Sequence, residues 1–136
     1  MIKTICGAKG FGKTKIIIDE ANKDVAEASG NVVFITDTKR YMYDLVHKIR
    51  FIDTKDFEIN SEESLISFIK GIIAGNSDTQ YIFIDGAARI VNKSVDEMAD
   101  FYAALEKMIG DYDLTLILTV SCEPEKLPAF IAKYSK

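Results

Sequence analysis

Short aliphatic runs alternate with segments of helical period along the whole chain, and that alternation restricts the fold more than any other feature. "IKTIC" (2–6), "VVFIT" (32–36), "YIFID" (81–85) and "LTLILTV" (114–120) are apolar stretches of strand length, two of them continuous enough for strands covered on both faces. After the first, Ile17, Ala21, Val25 and Ala28 recur at helical spacing, with Gly30 as a stop. Asn60 with Glu63 resembles a helix-start box, and Leu65, Phe68, Ile69, Ile72 and Ile73 then mark one apolar face up to Gly75. Ser94 and Glu97 form an S-x-x-E box ahead of Met98, Phe101, Tyr102, Leu105, Met108 and Ile109, a stripe that ends at Gly110. A helical piece near 39–47, a short strand near 49–53 and a last helix from Pro124 to about Tyr134 complete the reading. Strands alternating with helices and lacking hairpin signals imply right-handed crossovers. The expectation is an α/β chain with a mainly parallel sheet of about five strands and helices on both faces. Ligands in such sheets sit at the carboxyl ends of the strands.

Length and charge narrow the class further. At 136 residues, 48% apolar and with only two prolines, the chain reads as one globular domain over 1–136. A net charge of −4 gives no footprint for a polyanion, so the basic group Lys39, Arg40, Lys48 and Arg50 reads as a solvated face and a nucleic-acid partner is not expected. "MIKTIC" is too short for a signal-peptide core and charges interrupt the later apolar runs, which points to a cytoplasmic protein without membrane insertion. Cys6 and Cys122 have no metal-ligand or CxxC spacing and read as reduced structural thiols, and the single histidine, His47, as a surface or packing residue.

The chemistry concentrates in "CGAKGFGKTK" (6–15), where Gly7, Gly12, Lys13 and Thr14 satisfy GxxxxGK[ST] between the first strand and the first helix. Glycines let successive backbone N–H groups turn inward onto phosphate oxygens, and the helix that starts there presents its unpaired N–H groups and positive dipole end. The binding segment is then Gly7, Ala8, Lys9, Gly10, Phe11, Gly12, Lys13, Thr14 and Lys15. Lys13 is the point charge for the outer phosphates, and the Thr14 hydroxyl is a ligand for Mg²⁺. Asp85 follows four apolar residues, so its carboxylate emerges at the end of a buried strand, where it suits the same metal.

At these residues the chain resembles the P-loop nucleoside triphosphatases, with a Walker A segment at 7–14 and a Walker B aspartate at 85. It is also similar to a group of small bacterial P-loop proteins sometimes labelled twitching-motility or pilus-retraction ATPases, although a retraction motor implies a much longer chain with further histidine and acidic motifs. The resemblance implies a three-layer P-loop fold, ATP and Mg²⁺ as cofactors, and Lys13 and Asp85 as the residues of chemistry. A homo-oligomer or a protein partner is a further expectation.

The hydrolytic base is the open point. Many ATPases of the additional-strand class carry a glutamate directly after the Walker B aspartate, and here Gly86 stands there. Asp37 and Glu123 are alternative bases whose simpler reading is loop capping, and Thr119 and Ser121 lie where a polar sensor of the terminal phosphate is expected. "DGAAR" (85–89) resembles the D-G-x-x-R run of small nucleoside-monophosphate kinases, with Ala88 in place of the proline. Arg89 then reads as a phosphate clamp, an arginine finger or a surface residue. "NKSV" (92–95) lacks the aspartate of a guanine-specificity motif, and Lys9 lies one position too late for the extra lysine of the partitioning ATPases. Three functions follow: a slow or partner-activated ATPase, a small-molecule kinase, or a non-hydrolysing ATP-dependent switch. For the last, Tyr41, Tyr43, Tyr112 and Tyr134 are candidate surface residues.

Overall fold

Five parallel strands, β1 (Ile2–Gly7), β2 (Asn31–Thr36), β3 (Ile49–Asp53), β4 (Thr79–Ile84) and β5 (Thr115–Ser121), form one sheet in the order β1-β5-β4-β2-β3. The computed structural model describes residues 1–110 and 112–135. β5 is thus interposed between β1, which leads into the glycine loop, and β4, which leads into Asp85. The outer edge of β1 is partly covered by the chain end, where the Thr4 N–H donates to the Tyr134 carbonyl at 2.8 Å.

Side-chain alternation divides the core into two layers. On one face, α1 (Lys13–Glu27) buries Ile17, Ile18, Ala21 and Val25 against Ile5, Val32, Phe34, Phe83 and Ile117. The other face carries α2 (Glu62–Gly75), α3 (Ala87–Val91), α4 (Ala99–Ile109) and α5 (Ala129–Ala132) over Val33, Ile35, Ile82, Ile84, Leu116 and Leu118. Each central strand therefore contributes to both layers, which is why "VVFIT" and "LILTV" read as continuous apolar runs rather than alternating ones. Tyr102 is the largest side chain that is fully buried, and its hydroxyl stays hydrogen-bonded through Thr4 at 2.9 Å; burial pushes its pKa up beyond the ordinary phenol range.

Local chemistry differs from expectation in four places. Ser61, not Asn60, caps α2, in a box with Ser64: Ser61 Oγ accepts from the Ser64 N–H at 3.0 Å and Ser64 Oγ accepts from the Ser61 N–H at 3.0 Å. A serine at the third helical position closes the box as a glutamate would, one residue later in the chain. The helical piece near 39–47 is only a 3₁₀ turn over Met42–Asp44. The last helix is split into a 3₁₀ turn at Pro124–Lys126 and the short α5, because Pro128 keeps Leu127 extended (φ −65°, ψ 124°) and out of the helical region. The Ser94–Glu97 box is present but caps a 3₁₀ turn at Val95–Glu97, with α4 starting after Met98.

Candidate functional site: a glycine cradle and a buried aspartate

On the α1 side of the sheet, three strands exchange an apolar residue for a polar one toward their carboxyl ends. Phe34 is followed by Thr36, Phe83 by Asp85 and Ile117 by Thr119, all buried. The first turn of α1 faces this polar end. Thr14 Oγ1 donates to Asp85 Oδ2 at 3.0 Å, and Thr119 Oγ1 donates to Asp85 Oδ1 at 2.7 Å. Thr119 Oγ1 also accepts from the Gly86 N–H at 2.8 Å, and Thr36 Oγ1 donates to the Asp85 carbonyl at 3.3 Å. The carboxylate is 4% exposed, and its two oxygens are held by hydroxyls rather than by a cation.

The loop before α1 has the geometry that its glycines suggest. Gly10 and Gly12 take φ of 89° and 91°, in the left-handed region that side chains disfavour. Gly7 has a different reason: a Cβ there would lie 2.6 Å from the Phe11 ring, which folds back over the strand end. Gly12 caps α1 without a side-chain bond, and no acidic residue stands in the first turn. By contrast, the N-terminus of α2 carries a serine cap and both Glu62 and Glu63. The first turn of α1 therefore carries no acidic residue of its own, and the carboxylate bonded there, to Thr14, is that of Asp85.

Lys13 folds over the loop, its Nζ donating to the Ala8 carbonyl at 3.2 Å. Burial lowers its pKa from the ordinary lysine range; the negative charge of Asp85 opposes that shift and the positive charge of Arg89 adds to it. Lys15 pairs on the surface with Asp19 at 3.0 Å, one turn along α1. A cleft of about 1180 Å³ opens beside these residues and continues past Asp85 and Gly86 to Asp37, Thr38, Arg40, Tyr41 and Lys55. Its walls carry six cations (Lys9, Lys13, Lys15, Arg40, Lys55, Arg89) against four aspartates, a local excess of positive charge in a chain of net charge −4.

Most of the expected residues converge here. Lys9, Gly10, Gly12, Lys13, Thr14, Lys15, Asp85, Thr119 and Ser121 line the cleft, whereas Gly7, Ala8 and Phe11 support the loop from behind or beside it. Glu123 does not reach the cleft and pairs with Lys126 at 3.3 Å. Asp37 does reach it, but its two oxygens receive Arg89 Nε at 2.7 Å and the second guanidinium nitrogen at 2.8 Å. That fork holds the Asp37 pKa below the usual carboxylate range, which makes it a poor proton acceptor at neutral pH. Arg40 and Tyr41, with the guanidinium 5.3 Å from the ring centroid, and Lys55 join the cleft, although the sequence pointed to a solvated face for Arg40, to a partner surface for Tyr41 and to no role for Lys55.

Gly86 also gains a structural reason. It caps α3 at φ 80°, and a Cβ built on it would run into the Arg89 guanidinium. A glutamate cannot take this position without left-handed strain and displacement of Arg89. Among the described residues, no cluster of three or more histidine, cysteine or acidic side chains forms a metal site. The available donors are one hydroxyl and one buried carboxylate, which suits a cation that keeps most of its waters and binds phosphate oxygens. Cys6 and Cys122 are free and partly buried, with burial pushing the Cys6 thiol up.

No protein-family model matches the chain, and no curated protein matches it in sequence. Among solved structures, the crystal structure of the flagellar accessory protein FlaH from Methanocaldococcus jannaschii superposes with a TM-score of 0.60 over 97% of this chain at 14% identity. The two share an α/β fold, here five parallel strands with helices on both faces. This chain spans 65% of the length of the FlaH chain. Among the described residues, no helix is long and apolar enough to cross a membrane.

The Asp37–Arg89 pair has a measurable consequence for stability. A carboxylate depressed in the folded state contributes stability that is fully present above its unfolded value, about pH 4, and lost as pH falls through the folded value. The Arg89 side chain is 58% exposed, so solvent screening keeps that share on the order of 1 kcal/mol or less. Asp37→Asn is therefore expected to unfold at slightly lower denaturant than the parent at pH 7, with the gap closing in acid as the parent carboxylate is protonated. A gap that is unchanged in acid would mean that the ion pair does not contribute.

Proposed function

We propose that this chain is a Mg²⁺-dependent ATP-binding P-loop domain, with slow intrinsic hydrolysis that a partner or self-association accelerates. The observation that carries the reading is the Thr14–Asp85–Thr119 cluster at the open end of α1, beside a loop whose glycines adopt left-handed angles. In that reading the phosphates lie along the backbone of 7–14, Lys13 neutralises the outer ones, and Thr14 and Asp85 hold the metal between them. The metal would draw charge from the outer phosphates during transfer. Thr119 keeps the Asp85 carboxylate aimed at the Thr14 hydroxyl. Slow turnover follows from Gly86, which contributes no carboxylate where a water-activating glutamate would stand. The chain works as a single domain in the cytoplasm, and no motility role is included in the reading.

The length of the cleft favours a second reading. It takes in Arg40, Tyr41 and Lys55 as well as the residues around Asp85, and a phosphoryl acceptor would fit that arm. Calorimetry with ATP and Mg²⁺, with phosphate release followed in the same sample, decides between the readings. Binding with release over hours, accelerated at high protein concentration or by a partner, is the expected result. ATP loss that requires an added nucleoside or nucleotide would make the chain a kinase, and binding with no release in any mixture would make it a switch. No binding of ATP would remove the nucleotide reading altogether.

A further inference from the structure

Arg89 stands out once the rest of the cleft has been accounted for. It comes from the short α3, directly after the Asp85–Gly86 turn, and its guanidinium lies against the Gly86 backbone where any side chain would displace it. Its charge acts on Lys13 and on Asp85 as well as on Asp37. Lys13 and Arg89 thus line the same cleft beside Asp85, whose oxygens are already taken by Thr14 and Thr119. Like charges held together in that way favour an anion between them. The Asp37 side chain is 18% exposed and Arg89 58%, so the arginine is the freer member of the pair. Two of its five N–H donors serve Asp37, which leaves three for another acceptor.

We propose, on the nucleotide reading above, that Arg89 is the residue that reads the third phosphate, and that Asp37 is a built-in competitor which holds the guanidinium when that phosphate is absent. A carboxylate and a terminal phosphate present the same two-oxygen fork to a guanidinium, so the exchange replaces one charge-assisted pair by another rather than leaving a charge uncovered. Lys55, whose charge also acts on Asp37, stays beside the carboxylate that is released. The exchange couples the nucleotide state to the segment after β2, because Asp37 is the first residue beyond that strand. Discrimination between a nucleoside triphosphate and a diphosphate would then be set by a single ion pair within one chain.

The test is the ratio of ADP to ATP dissociation constants, measured by calorimetry with Mg²⁺ for the parent, Arg89→Ala, Arg89→Lys, Asp37→Asn and the double variant Asp37→Asn/Arg89→Ala. Far-ultraviolet dichroism and a thermal melt on each sample establish that it is folded. Arg89→Ala is expected to lower the preference for ATP about tenfold with little change in ADP affinity. Arg89→Lys keeps the charge but not the fork and is expected to fall in between. Asp37→Asn moves the ratio the other way, toward ATP, and that gain disappears in the double variant, because it acts through Arg89. Equal losses for ATP and ADP in Arg89→Ala, or a gain from Asp37→Asn that survives without Arg89, would overturn the proposal and leave a merely structural or generally electrostatic pair. A parent that binds neither nucleotide would instead overturn the nucleotide reading itself, so the two failures are distinct.

Discussion

Lys13→Ala is expected to weaken ATP·Mg²⁺ binding by about a hundredfold, ~2.7 kcal/mol, while leaving the melting temperature within about 2 °C of the parent. The two halves of that expectation have different physical origins. In the absence of ligand, the ammonium makes one bond, a 3.2 Å contact to the Ala8 carbonyl at the rim of the loop, and burial already works against its charge. Little of the folded state depends on it. A polyphosphate changes the balance, because the half-buried ammonium acquires an anion at short range in a cleft with low-dielectric walls. Titration calorimetry and a thermal melt on the same preparation read both halves. Unchanged affinity in a folded variant would mean that the glycine cradle does not bind phosphate.

The part of the site that was legible in the sequence is the part that local chain geometry determines. The segment "GAKGFGKT" allows left-handed backbone at Gly10 and Gly12 and starts α1, and those are backbone properties of nearby residues. Asp85 was readable for a related reason: four apolar residues in a strand place the next side chain at the strand's end, and parallel topology puts that end beside the loop. Thr119 stands where the sequence places a polar sensor, and its closeness to Asp85 depends on the register of β4 against β5, in which Ile84 faces Leu118.

Residues brought together by strand order were not legible. Asp37 and Arg89 are 52 positions apart, and their pairing depends on β2 lying next to β4. In the sequence one looked like a loop cap or a base and the other had three readings; only the ion pair joins them. Gly86 looked like a missing glutamate, whereas its left-handed angle and the guanidinium over it show a residue type required by the turn. Arg40 belongs to a basic cluster whose neighbours Lys48 and Arg50 lie outside the cleft, so charge counting could not separate it from a solvated face. The fold itself was recoverable from period alone, and the errors lie where two adjacent signals competed. Ser61 with Ser64 outcompeted Asn60 with Glu63, and Pro128 overrode the start signal of Pro124.

The largest loss of stability is expected from Phe83→Ala, about 3–5 kcal/mol, a large fraction of the total for a domain of this kind. Phe83 is fully buried in the layer between the sheet and α1, with its ring centroid 6.3 Å from Phe34 and 6.1 Å from Tyr81, both stacked. Neither neighbour can fill the gap easily, since Phe34 is a strand residue packed on its own account and β4 is hydrogen-bonded on both sides by β2 and β5. A cavity therefore remains, and the transfer and cavity costs add. The site should register the change as well, because Phe83 supports the same face of β4 from which Asp85 emerges two residues later, and α1, packed over that layer, carries Thr14. Urea unfolding of Phe83→Ala, with Tyr43→Ala as the surface control at 88% exposure, separates burial from aromatic content. The control is expected to stay within about 0.5 kcal/mol of the parent. If both variants lost stability equally, the two-layer core would not be what holds the Thr14–Asp85 contact in place.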